Sequence, residues 1–258
     1  MLHTLAPYAL FMACVAVATF AQNLTGFAFA MILLGVTSVF DVASVADSAN
    51  ASMILTMFNT WTYFRLYKVR PPWALMRPAL VAGAVFVLVG LVLLAWLSST
   101  TVQGLRCLLG VSIVLCALAL LLQTRPRATV SGAGGFAVAG GLSGLLSGLF
   151  SSPGPPIVFH MYRQPLPAEL VRACLMTMFA FAAALRGAVV LVAGQISVHA
   201  LVLAALSVPV AYATTRLARH TKIEVPPQVL RLVVAGLLAI AGGTLVVSAV
   251  RSGALAGG

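Results

Sequence analysis

Charge is what this chain has least of. Of its 258 residues only 7% are charged, and the acidic ones are Asp41, Asp47, Glu169 and Glu224 alone. A soluble domain carries about 25% charged residues, because a water-facing surface is covered with ionised side chains. With 62% of the chain apolar, a soluble enzyme or binding domain is excluded. Alternating strands are missing as well: the apolar stretches are continuous rather than ten-residue alternations, which excludes an outer-membrane barrel and leaves an all-α polytopic membrane protein. Cysteine is scarce. Cys14, Cys107, Cys116 and Cys174 are scattered through apolar runs with no CxxC pair and no nearby His. They read as small core hydrophobes, and neither metal nor cofactor is expected. No Lys or Arg precedes the first apolar run, only His3, so that run reads as a retained helix rather than a cleaved leader. Both lysines, Lys68 and Lys222, fall in or beside loops, which leaves no Schiff-base residue for a retinal protein.

What is present is a row of apolar segments: 5–22, 26–40, 44–66, 78–97, 101–122, 134–150, 153–162, 168–193, 198–216 and 228–249. The net charge of +11 would suggest a nucleic-acid partner in a soluble protein. Here the cations sit in connections: Arg65, Lys68, Arg70, Arg77, Arg125, Arg127, Arg163, Arg172, Arg216, Arg219 and Lys222 fall on one side when the long segments alternate. The connections Leu97–Thr101 and Gly194–Ser197 carry no charge. By the positive-inside rule the basic side is cytoplasmic, both termini are outside, and the protein sits in the inner (plasma) membrane. No nucleic-acid partner is expected.

Segment length constrains the rest. The chain leaves the basic side at residue 134 and is back at Arg163 within about 29 residues, whereas two full crossings at 1.5 Å per residue need about 40. The stretch 134–162 therefore predicts a re-entrant or shortened hairpin. The first pair, 5–40, has the same character, broken around Gln22-Asn23-Leu24-Thr25-Gly26. Shifting the first half by 125 residues carries 26 onto 151, 44 onto 169, 78 onto 203 and 101 onto 226, and Arg106 onto Arg231. The chain reads as two repeats, 1–125 and 126–258, each a hairpin plus three spanning helices. Because three is odd, the second copy is inverted, the pattern of a transporter whose site lies between the halves.

Chemistry concentrates at the two breaks. Unwound backbone at membrane depth is tolerated only where protein or a watery cavity satisfies it, and a short helix starting there presents free N–H groups and a positive dipole end. Gln22, Asn23, Thr25, Ser151 and Ser152 beside two such ends predict an oxyanion cage. Arg186 lies within a span, where a charge costs about 2.5 to 3.5 kcal/mol, and is expected to face the anion. Arg106 and Arg231 are expected to snorkel. Asn50 and Asn59 extend the polar lining. Asp47 reads as a helix cap, with proton coupling as the sharper alternative; His160 reads as a packed neutral imidazole that could titrate near neutral pH.

These breaks carry a resemblance. Gln22-Asn23-Leu24-Thr25-Gly26-Phe27-Ala28-Phe29-Ala30 and Gly144-Leu145-Leu146-Ser147-Gly148-Leu149-Phe150-Ser151-Ser152-Pro153-Gly154-Pro155-Pro156 resemble the paired signatures of the TauE/SafE sulfite-exporter family, the TSUP permeases, in a layout covering the whole chain. The match departs at Ala28, where Gly is common in that family, and at Ser151 to Pro153, where a Gly-x-Gly run is usual. The resemblance implies a secondary transporter for sulfite, thiosulfate or an organosulfonate, with Gly26, Phe27, Ala28, Pro153 and Gly154 joining the substrate site. Membrane lipids and protons are the other expected partners, and a homodimer is compatible with this reading. Two alternatives use the same residues differently: a passive anion channel with the same lining, or a rhomboid-like serine protease, since Gly141-Leu142-Ser143-Gly144 fits GxSG and His199 follows.

Overall fold

The computed structural model describes residues 2–40, 42–98, 110–115, 117–118, 121, 127–150 and 154–220, and scattered helical positions between 232 and 247. Its elements are α1 (Leu2–Thr25), α2 (Phe29–Val39), α3 (Val45–Tyr67), α4 (Trp73–Ser98), α5 (Ala133–Phe150), α6 (Gly154–Tyr162), α7 (Ala168–Val192) and α8 (Val198–His220). Among the described residues the protein is all-helical. Four helices are long and apolar enough to cross a bilayer, over Pro7–Thr25, Trp73–Leu94, Ala168–Val192 and Val198–His220. The segments expected at 101–122 and 228–249 fall largely outside the described residues. Where described they are helical and meet at Gly110, whose missing Cβ makes room for Val246 and the Gly242 carbonyl.

Local chemistry explains the boundaries. Ser44 caps α3 by accepting the Asp47 N–H at 3.0 Å, so the cap is Ser44 and Asp47 occupies the first turn. Lys68 ends α3 in the left-handed region at φ 56°, and Pro71 and Pro72 then prevent its continuation. The first break is narrower than the sequence suggested. Gln22 to Thr25 remain helical, and only Gly26, Phe27 and Ala28 lie outside α1 and α2. The last turn of α1 holds because Gly26 N–H donates to the Gln22 carbonyl at 2.6 Å and the Thr25 hydroxyl bonds back to Ala21 at 2.7 Å.

Helix packing crosses the midpoint of the chain. α4 lies along α5, while α3 packs on α7 and α8, and α1 on α8. The α4–α5 seam is a stripe of small residues. A Cβ on Gly140, Gly144 or Gly148 would overlap the backbone of Ala79, Gly83 and Val87 respectively, so these backbones approach as only glycine allows. α3 and α7 run antiparallel: Thr60 donates to the Met176 carbonyl at 3.4 Å, and nearer the α3 start Met53 fills the space beside Gly187. α3 and α8 run parallel, joined by Asp47 with Ser197 and His199 at their starts and by Asn59 with Thr215 further along. α3 is the most polar of the long helices. Its Ser48, Asn50, Ser52, Asn59 and Thr62 are all buried, so the polarity faces other helices and not lipid.

Candidate functional site

The end of α1 carries a directional hydrogen-bond chain. Asn23 Nδ2 donates to Thr215 Oγ1 at 3.0 Å on α8. The Thr215 hydroxyl shares its proton between Asn59 Oδ1 at 2.6 Å on α3 and the Ala211 carbonyl at 2.8 Å. Asn59 Nδ2 then donates to Gln22 Oε1 at 2.7 Å, back on α1. All four side chains are buried. The chain has two open ends, Gln22 Nε2 and Asn23 Oδ1, each buried without a partner among the described residues. An unsatisfied buried donor or acceptor costs about 1 to 3 kcal/mol, so these ends are poised to accept a ligand's polar atoms. The NH2 of Gln22 suits an oxyanion.

The turn beside this chain is tightly held. Gly26 has φ 82°, and a Cβ there would lie 2.8 Å from the Arg172 Cα. Thr25 Oγ1 accepts the Phe27 N–H at 3.3 Å, and the Thr25 carbonyl accepts the Tyr162 hydroxyl at 2.6 Å. The Phe27 ring meets Tyr162 edge-on with centroids 6.2 Å apart. Ala28 adopts φ 78°, ψ −14° ahead of α2. The first tip thus packs against the end of α6 and the start of α7.

Arg186 belongs to a second location. It is 8% exposed, and its Nη1 donates to the Gly148 carbonyl near the end of α5 at 2.7 Å, while its Nε has no partner among the described residues. No carboxylate stands beside it among the described residues. Gly154, at φ 65°, opens α6 against Leu146; Ser151, Ser152 and Pro153 lie outside the described residues. Arg172, at the first tip, and Arg186, at the second, are fourteen positions apart on α7, about 21 Å at 1.5 Å per residue. The structure therefore brings Gln22, Asn23, Thr25, Gly26, Phe27 and Ala28 together at one level and Arg186 with Gly148 at another.

The remaining expected residues lie elsewhere. Asp47 accepts from the Ser197 hydroxyl and pairs with His199 Nδ1 at 3.1 Å. Asn50 donates to the Gln195 carbonyl at 3.1 Å nearby. His160 lies edge-on to Phe136 at 4.6 Å, its Nε2 buried and without a partner among the described residues. Ser143 accepts the Ile157 N–H at 2.8 Å between α5 and α6, whereas His199 packs against Tyr8 and Asp47. Serine and histidine are thus held by different partners on different helices. Thr215 and Tyr162 were not singled out from sequence; Thr215 had one legible signal, a hydroxyl inside an apolar span.

Comparison with known proteins agrees with this arrangement. The sequence profile described as "Sulfite exporter TauE/SafE" matches residues 10–245. A protein of Cupriavidus necator (strain H16) named probable sulfite/organosulfonate exporter TauE is 33% identical over 234 residues, covering 91% of each chain. No solved structure matches significantly. The chain belongs to the sulfite exporter TauE/SafE family of multi-pass membrane transporters.

Proposed function

We propose that this protein exports a small sulfur-containing anion, such as sulfite, thiosulfate or an organosulfonate, across the inner membrane by alternating access of its two halves. The observation that carries the reading is Arg186: a guanidinium buried within a span, bonded to one carbonyl and facing no carboxylate among the described residues. A cation so placed is costly unless an anion completes it. The open Gln22 amide beside the first tip supplies neutral donors for the same ligand at a second depth. The sulfur chemistry follows from the C. necator relative's name. The antiparallel α3 and α7, one in each half, support the inverted-repeat reading with halves at 1–125 and 126–258. The basic connections support a cytoplasmic basic end and outside termini. Of the two expected proton carriers, Asp47 is the one whose carboxylate bridges a helix of each half.

Binding of sulfite, thiosulfate and taurine-type sulfonates to the purified protein, followed by flux in proteoliposomes, tests this reading. Arg186→Gln should lower anion affinity at least tenfold, with Arg186→Lys partly restoring it. Wild-type flux should saturate and run uphill on an imposed proton gradient, and Asp47→Asn should abolish that coupling. Unsaturable, purely downhill flux would make the protein a channel.

A further inference from the structure

A groove of about 1030 Å³ lies between α3, α7 and the start of α4 and is lined by no residue of either hairpin. Its lining includes Arg65, Arg70, Trp61 and Trp73 toward the end of α3 and the start of α4, and Met57, Phe181 and Ala184 further along α3 and α7. Trp61 and Trp73 are each 55% exposed, so the groove opens on the outside of the bundle. The Arg65 guanidinium sits 5.4 Å over the Trp61 ring, and neither arginine has a carboxylate partner among the described residues.

We propose that this groove is a binding site for one anionic phospholipid of the leaflet at the basic end. Each part of the groove matches one part of such a lipid. Two guanidiniums without counter-ions present paired donors to a phosphate. The two indoles mark the headgroup level, where their amphipathic rings are favoured. Met57 lies eight residues from Arg65 on α3, about 12 Å of helix, which is close to the ~15 Å depth of one leaflet's hydrocarbon. An acyl chain whose phosphate rests on Arg65 and Arg70 therefore runs along the apolar wall. A small sulfonate would leave that wall bare. A second copy of the chain docked here by two-fold symmetry would oppose arginine to arginine, since a two-fold contact buries the same patch on both partners.

The test uses the full-length protein in an uncharged detergent, titrated with phosphatidylglycerol, with phosphatidylcholine of the same acyl chains, and with inorganic phosphate. Native mass spectrometry counts bound lipid, and brominated acyl chains report depth by quenching tryptophan in a Trp96→Phe background. Phosphatidylglycerol should bind selectively, and its brominated form should quench Trp61 and Trp73. Arg65→Gln and Arg70→Gln should each weaken it about fivefold, and together about 25-fold, with phosphatidylcholine binding unchanged. Arg65→Lys with Arg70→Lys keeps the charges and should retain selectivity, which separates lost binding from lost folding. Equal retention of phosphatidylglycerol by the double Gln variant, displacement of the lipid by inorganic phosphate, or a dimer that excludes lipid from the groove would each overturn the proposal.

Discussion

Ala28 holds a backbone conformation that suits glycine. At φ 78° its Cβ crowds the following carbonyl, a cost of roughly 1 to 2 kcal/mol for an L residue. Ala28→Gly should raise stability by about 1 kcal/mol, offset in part by the greater freedom of an unfolded glycine; thermal unfolding of the purified protein measures it. The relay through Thr215 gives the opposite sign. Thr215→Val removes the hydroxyl that receives Asn23 and donates to Asn59, leaving an unpaired amide on each side of a buried site. A loss of about 1 to 3 kcal/mol is expected, together with weaker anion binding if Gln22 is held in place through Asn59. Unchanged affinity in a destabilised Thr215→Val protein would limit the relay to a structural role. From sequence the amides of the first break were legible as candidates because their types and clustering were unusual for a span. Thr215, 192 positions from Asn23, was not, since nothing local marks one hydroxyl among many in a helix.

Among elements, the α4–α5 seam shows how glycine spacing becomes geometry. Gly140, Gly144 and Gly148 recur every four residues and so share one face of α5, and the missing side chains let α4 approach backbone to backbone. This contact places the Gly148 carbonyl where Arg186 reaches it. Gly144→Leu should prevent assembly of the pair, read as loss of monodisperse protein on size exclusion. Gly134→Ala on the same helix, where an added Cβ meets nothing within 4 Å, should leave folding intact. The same scale explains the shift of the first break. Polar residues in an apolar run read as unwound when their partners are invisible; in the fold Gln22 and Asn23 find partners on α3 and α8, so the helix continues to Thr25 and yields only at Gly26. The second limbs of the two hairpins are short, α2 at 11 residues and α6 at 9, while α1 is itself long enough to cross a bilayer.

At the scale of the whole molecule, α3 and α8 are clamped at their starts by Asp47, Ser197 and His199. The proposed alternating access would require the two proposed halves to part at each end in turn. A disulfide formed by Asp47→Cys with Ser197→Cys should therefore stop flux while leaving one side's anion binding intact, and a reductant should restore downhill flux, the proton coupling assigned to Asp47 being lost in this variant. Persistent flux in the oxidised protein would show that this end does not open. The native Cys14 and Cys174 are buried and should not interfere.

The scarcity of charge and the run lengths determined by themselves the solvent and the helical class, because each is a local or additive property of the chain. Only the tertiary structure decided which polar groups meet. It set Gly26 against Arg172 and the Gly148 carbonyl on Arg186, two positions about 21 Å apart along α7, so that Arg186 and the amide relay do not share one level. The reason lies in the solvent. In lipid the outward face of a helix is as apolar as the core, so the amphipathic period that reveals the inward face of a soluble helix is nearly absent. Helix rotation and depth are then fixed by close packing at small residues and by the pairing of a few buried polar side chains.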